Sequence, residues 1–385
     1  MLRRDLLRAL MATPLAGWLR PWLRPACGGA AEGPNAATVY RKAFDWAAHL
    51  PSDDSERLRK AANITTDDPR VVALIDQAGP AIEAIREAAA LDRCRWGNEV
   101  VTTDELGKGH LDVSGLQVIR AACLSARRHA GSGRGRAALD DVFAGLSLAH
   151  RIGTGGFLFA RVLECGGEVP AFQTLGRILP GLDREARDDL SRRLEVLPPP
   201  EPPSAAIGPE SRFIFGSIRA RLKAIGPVIR GEDWASLGFD EDEAAALQRL
   251  TGGNRAEFLD HLATTAPAFA ELARRLDLPR PGYRAALDEF ARSERATQPI
   301  VAGLVKNAWS LRHVVDRMRA QRAMLRAGVA LVRKGEAAFR AEPDPFGAGA
   351  FGLERRGKGY LIRSALNDGG MPEKPEVSLE IGDPA

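Results

Sequence analysis

LRHVVDRMRAQRAMLRAGVALVRKGEAAFRAEPDPFGAGAFGLERRGKGYLIRS, residues 311–364, decides the fold. Residues 311–339 repeat apolar side chains at helical spacing with no proline, which predicts one long helix. Asp344-Pro345-Phe346-Gly347 then reads as a turn, and Gly359-Tyr-Leu-Ile-Arg-Ser364 as a strand. A helix thus hands the chain to a small sheet. Asn367-Asp368-Gly369-Gly370 follows as the glycine-permitted turn that closes it.

Upstream, almost every segment is helical. Asn35 is placed to cap AATVYRKAFDWAAHL. DDPRVVALIDQAGPAIEAIREAAALDR keeps a helical period around Pro80, which should kink or split it. CRWGNEVVTTDELGKGHL is too rich in Gly and Thr for helix and reads as a loop. Residues 113–129 and 136–151 form two helices; Leu139, Val142, Phe143 and Leu146 make an apolar stripe on the second. Helix resumes over 157–197 and, after PPPEPPS, over four amphipathic segments between 211 and 311. Strand signals are confined to the last forty residues.

The expected class is therefore mainly α: a multi-helix array or bundle in two parts, with a small C-terminal antiparallel β-module. The boundaries are a leader at 1–30, an N-terminal helical domain at 31–197, a Pro-rich linker at 198–207, a C-terminal helical region at 208–340, and the β-module with its tail at 341–385. The linker is placed by its prolines, which neither helix nor paired strand accommodates.

The chain has 385 residues, 45% hydrophobic and 27% charged, with a net charge of +4. Residues 1–30 hold five arginines against one aspartate, which accounts for all of that charge. The remaining residues are neutral and lack the basic excess that phosphate neutralisation requires, which argues against nucleic acid as a partner. The opening segment carries Arg3-Arg4-Asp5-Leu6-Leu7-Arg8, then an apolar run too short to span a bilayer, then small residues from Ala26. It reads as a twin-arginine export signal. The expected location is the periplasm or cell envelope, with membrane contact only through the leader or a lipidated Cys27. The opposing interpretation is an amphipathic first helix of a cytoplasmic protein. Cys94, Cys123 and Cys165 are widely spaced with no C-x-x-C, so they are neither a zinc site nor a disulfide framework. They read as small core residues; one disulfide with a leftover thiol is the alternative.

The motif inventory is short of chemistry. P-loop, Rossmann, G-x-S-x-G, Ser-x-x-Lys and H-E-x-x-H patterns are missing from the sequence. The Gly-rich stretches at 131–136 and 153–156 read as helix-terminating turns, and Asp240 to Glu243 as the acidic start of a helix. His129, after two arginines, is expected to act as a cation at a helix C-terminus. His150 extends the apolar stripe and reads as a core or boundary histidine; as an acid–base group it would be tested with Glu164 or Glu168. Trp96 in the Cys94-Arg-Trp-Gly loop is either a core plug or an anchor for a ligand or partner. No catalytic residue, cofactor or metal is expected, save weak calcium candidates at Asn367 and Asp368.

Several of these features together resemble a group of exported helical proteins of planctomycete bacteria. The shared features are NAATVYRKAF, the Cys-x-Trp-Gly loop, LSLAH at 146–150, and DPFG, GYLIRS and NDGG in that order. The resemblance touches 30–170 and 310–370 and implies export and architecture only. The C-terminal part is also similar to type II secretion pseudopilins, in which a long helix leads into a small sheet with a calcium-holding loop. That likeness implies a degenerate copy of the module: its loop offers one Asp and one Asn, where calcium takes six to eight oxygens. The expected function is a non-catalytic binding or structural component of the cell envelope, with an unknown envelope protein or ligand as partner. The alternatives are a hydrolase-like enzyme with a site between the helical halves and a membrane-tethered secretion or assembly subunit.

Overall fold

The computed structural model describes residues 33–61, 64, 66–96, 101–103, 109–111, 114–154, 158–293, 298–366 and 377–382. The leader with Cys27 and the 367–370 turn with Asn367 and Asp368 lie outside them. The protein is mainly α-helical with a small C-terminal antiparallel sheet. No helix among the described residues is long and apolar enough to cross a membrane.

Helix α1 (Ala36–Ala48) starts at Asn35, whose carbonyl oxygen Oδ1 accepts from Ala37 N at 3.3 Å. The same amide exchanges bonds with the backbone of Arg95, so one side chain caps the helix and fastens the loop of Trp96 to it. After α2 (Ser52–Arg59) comes α3 (Pro69–Ala89), capped by Asp68 with Pro at its first position. Pro80 does not split α3. It lies on the exposed face, where water can take the carbonyl that loses its amide partner. The stretch read as a loop holds a short antiparallel pair, β1 (Val101–Thr103) and β2 (Gly109–Leu111), with Val101 opposite Leu111. Strands are thus not confined to the last forty residues; the β-branched Val-Thr-Thr run is the signal that overrides the glycines.

Helices α4 (Ser114–Gly131), α5 (Gly135–Gly153) and α6 (Leu158–Ile178) pack on one another, and α1 and α3 cover α4. Leu139, Val142 and Leu146 of the expected stripe are buried, with Phe143 at its margin. A short 3-10 turn precedes α7 (Arg184–Val196), which the sequence reading had merged with α6. The Pro-rich segment then leads through a second 3-10 turn to α8 (Ile207–Arg221). Short helices α9 (Gly231–Leu237), α10 (Glu241–Thr251), α11 (Arg255–Thr264), α12 (Ala266–Leu276) and α13 (Arg280–Ala291) follow.

The long helix, α14, runs Pro299–Lys334, starting twelve residues before the expected 311. Pro299 explains the shift: it cannot sit inside the preceding helix but fits the first turn of a new one. Gly335, at φ +83°, ends α14 before the brief α15 (Glu336–Arg340). α14 lies along α6, and both meet the sheet. That sheet has the order β3 (Gly352–Arg356), β4 (Gly359–Arg363), β5 (Ser378–Ile381). Leu353 faces Ile362, Arg355 stands opposite Tyr360, and Phe351 precedes the strand. β5 docks on α6 through Gly382 N to Gly176 O at 3.0 Å and Arg177 to Glu380 at 3.0 Å.

Asp344 organises this module. Its buried carboxylate accepts from Phe346 N (3.0 Å), from Ser364 Oγ (2.9 Å) and from Ala365 N (2.5 Å). The turn after the helix and the end of β4 are therefore tied to one side chain. A single hydrophobic cluster runs from Ala36 to Ile381 and includes residues on both sides of the Pro-rich segment.

Candidate functional site

Charged side chains converge where α5 ends and α6 begins. His150 is in the last turn of α5, its side chain 32% exposed, and its Nδ1 lies 3.1 Å from Oε1 of Glu164. Glu164 is one face inward on α6 and buried. Its second oxygen accepts from Arg161 Nη1 at 2.6 Å, one helical turn earlier. Arg161 is itself buried and pairs through Nη2 with Glu201 of the Pro-rich segment. The helices approach closely here: a Cβ on Gly153 would collide with the Glu164 carboxylate. Glycine at that position is what lets α5 lie against the charged pair.

Glu168, one turn further along α6, is half-buried. The atoms packed round its carboxyl, and next the negative charge of Glu164, push it up to about 8, against the pull of Arg322 and Arg161. Arg322 of α14 donates to the carbonyls of Leu197 and Pro198, each at 2.5 Å. The neighbouring Cys165 is buried, 3.6 Å from the sulfur of Met318, and burial raises its thiol well above the usual range. Such a thiol is a packing group rather than a nucleophile. Cys94, Cys123 and Cys165 are thiols outside any disulfide, the last two buried.

A second buried carboxyl holds the start of α6. Glu210 of α8 accepts from Leu158 N at 3.1 Å, capping α6 from 52 residues away. Burial raises its pKa to about 7.

The structure brings Trp96 to this same region. Its indole Nε1 donates to the carbonyl of Arg151 at 2.6 Å, the residue after His150. Its rings stack on Tyr40 and Phe44 at 5.7 and 5.9 Å, and Arg151 reaches on to the carbonyls of Ala88 and Leu91. Trp96 therefore joins α1 to α5, and Arg151 carries the link on to α3. His129 departs from the expected helix-end cation. It faces buried Asp141 at 3.5 Å, and burial lowers its pKa, favouring the neutral ring. Arg86 is the cation that meets Asp141, at 2.8 Å.

Chemically, the His150–Glu164 pair can hold a proton on Nδ1 and leave the other ring nitrogen as a base, since the carboxylate fixes the tautomer. Among the described residues no three His, Cys, Asp or Glu side chains gather as metal ligands. Sequence reasoning had paired His150 with Glu164 or Glu168 but missed Arg161, Glu201, Arg322 and Glu210. The available signal was an Arg-x-x-Glu spacing inside an otherwise apolar helix, where an unpaired charge would be costly. Comparison with family models, with curated proteins and with solved structures gave no match.

Proposed function

We propose that the protein is an exported, non-catalytic binding or structural component of the cell envelope. The observation that supports the non-catalytic part most is the use made of Arg161 and Arg322. Each ties a core helix to the Pro-rich segment, Arg161 through Glu201 and Arg322 through two carbonyls. Both arginines at the convergence thus fasten the Pro-rich segment to the core, one through a carboxylate and one through backbone carbonyls. Export rests on the twin-arginine leader, and the envelope on the resemblance of its Cys-x-Trp-Gly loop and C-terminal module. The neutral charge of residues 31–385 favours a protein or small-ligand partner over nucleic acid.

A second interpretation, a hydrolase-like site, is favoured by one observation: His150 is partly exposed and bonded to a buried carboxylate. One experiment separates the two. Wild type and His150→Ala are assayed against ester, amide and glycoside panels, with melting curves in parallel. The binding interpretation predicts no turnover above buffer by either protein, and a loss of about 1 kcal/mol in the variant from the missing hydrogen bond. Turnover by wild type that disappears in a folded His150→Ala would establish the hydrolase instead.

A further inference from the structure

Residues 197–203 read Leu-Pro-Pro-Pro-Glu-Pro-Pro, and covalent geometry largely fixes their backbone. Proline holds its own φ, and a residue that precedes proline is pushed to extended ψ. Every residue from 197 to 202 except Pro200 precedes a proline. The two ends agree: Leu197 has φ −58° and ψ 132°, and Pro202 has φ −64° and ψ 150°. This is polyproline II, a three-sided prism with three residues per turn.

Exposure follows that three-fold period. Leu197 and Pro200 are half-buried and Pro203 is buried, so one edge lies on the body of the protein. Pro198 and Glu201 form a second, exposed edge, and Pro199 and Pro202 a third, wholly apolar one. Val196, 81% exposed, stands at the head of the ridge. The ridge is held from beneath by Arg322 and Arg161 and at its far end by Ser204, whose amide donates to Asp277 at 3.3 Å.

We propose that residues 197–202 are a preformed docking ridge for a partner protein that reads polyproline II through an aromatic-lined groove. Such grooves grip two edges of the prism and leave the third outside. Here two edges face solvent, the apolar one of Pro199 and Pro202 and that of Pro198 and Glu201, whose side chain stays 45% exposed while it pairs with Arg161, and the third packs on the body of the protein. Fixing the ridge in advance removes ordering entropy that a free peptide would lose on binding. The proposal deepens the binding function above and rests on it only in that the protein acts by contact.

The test titrates the full chain into isotopically labelled SH3 and WW domains, used as chemical probes of polyproline recognition, and follows chemical shifts. The expected result is shifts that map to the aromatic groove of at least one domain and are competed by a proline-rich peptide. With Pro199→Ala/Pro202→Ala they should weaken roughly tenfold or more, since each change removes methylenes from the contact. Circular dichroism and melting establish that the double variant is folded; Pro199→Ala alone serves if it is not. Absence of shifts with both domains, or equal binding by a folded variant, overturns the ridge. Export is read separately by fractionation, so failure of the ridge is distinguishable from failure of the envelope function.

Discussion

Glu210→Gln should stabilise this protein at alkaline pH and do little at acid pH. The Glu210 carboxyl is buried and accepts the Leu158 amide, and its folded pKa is raised from an ordinary 4.5 to about 7. Because the folded value is the higher one, the contribution to stability is fully present below 4.5. It declines as pH rises and is lost once pH has passed through about 7. At roughly 1.4 kcal/mol per pKa unit the total is about 3 kcal/mol. Glutamine keeps a carbonyl acceptor for Leu158 and has no proton to lose. The assay is urea unfolding of both proteins at pH 5 and pH 8. The Gln variant should gain about 3 kcal/mol over wild type at pH 8 and under about 1 kcal/mol at pH 5. Glu168 titrates in both proteins and cancels in the comparison. Parallel pH profiles, or a Gln variant weaker than wild type at pH 8, would refute the reasoning.

Asp344→Ala removes three hydrogen bonds from a buried carboxylate and should cost about 3 kcal/mol; hydrogen exchange should speed up first in Gly359–Arg363. A variant whose β4 amides stay as protected as in wild type would contradict that role. Arg161→Ala leaves Glu164 buried beside a single partly exposed histidine and should cost about 3 to 5 kcal/mol. Limited proteolysis should then cut near Glu201, where wild type resists. Gly153→Ala forces a methyl onto the Glu164 carboxylate and should cost about 1 to 3 kcal/mol by denaturant unfolding. An unchanged midpoint would mean the α5–α6 approach is looser than described.

Local signals carried most of the fold. Asn35 caps α1 because its side chain needs only the amide two residues on. Asp240 and Glu243 cap α10 reciprocally, at 2.8 and 3.1 Å, as an acidic helix start should. The long helix leading to turn and sheet is likewise written in contiguous residues. What the sequence hid depends on distant partners. Pro80 looks like a break until it is seen to lie on the exposed face of α3. Arg322 is one of many helical arginines until its reach to Leu197 and Pro198, more than 120 residues away, is known. The site was half legible for the same reason. His150 and Glu164 are 14 residues apart on successive helices and could be paired by reasoning. Glu201 reaches Arg161 only through tertiary packing.

Export is the central claim, and the native protein recovered from its own kind of host tests it most directly, by mass and by fractionation. The account predicts a cut near Ala30 and an extracytoplasmic product. An acylated Cys27 would keep the export and make the protein a lipoprotein, whereas an intact Met1 in the cytoplasm would contradict the account.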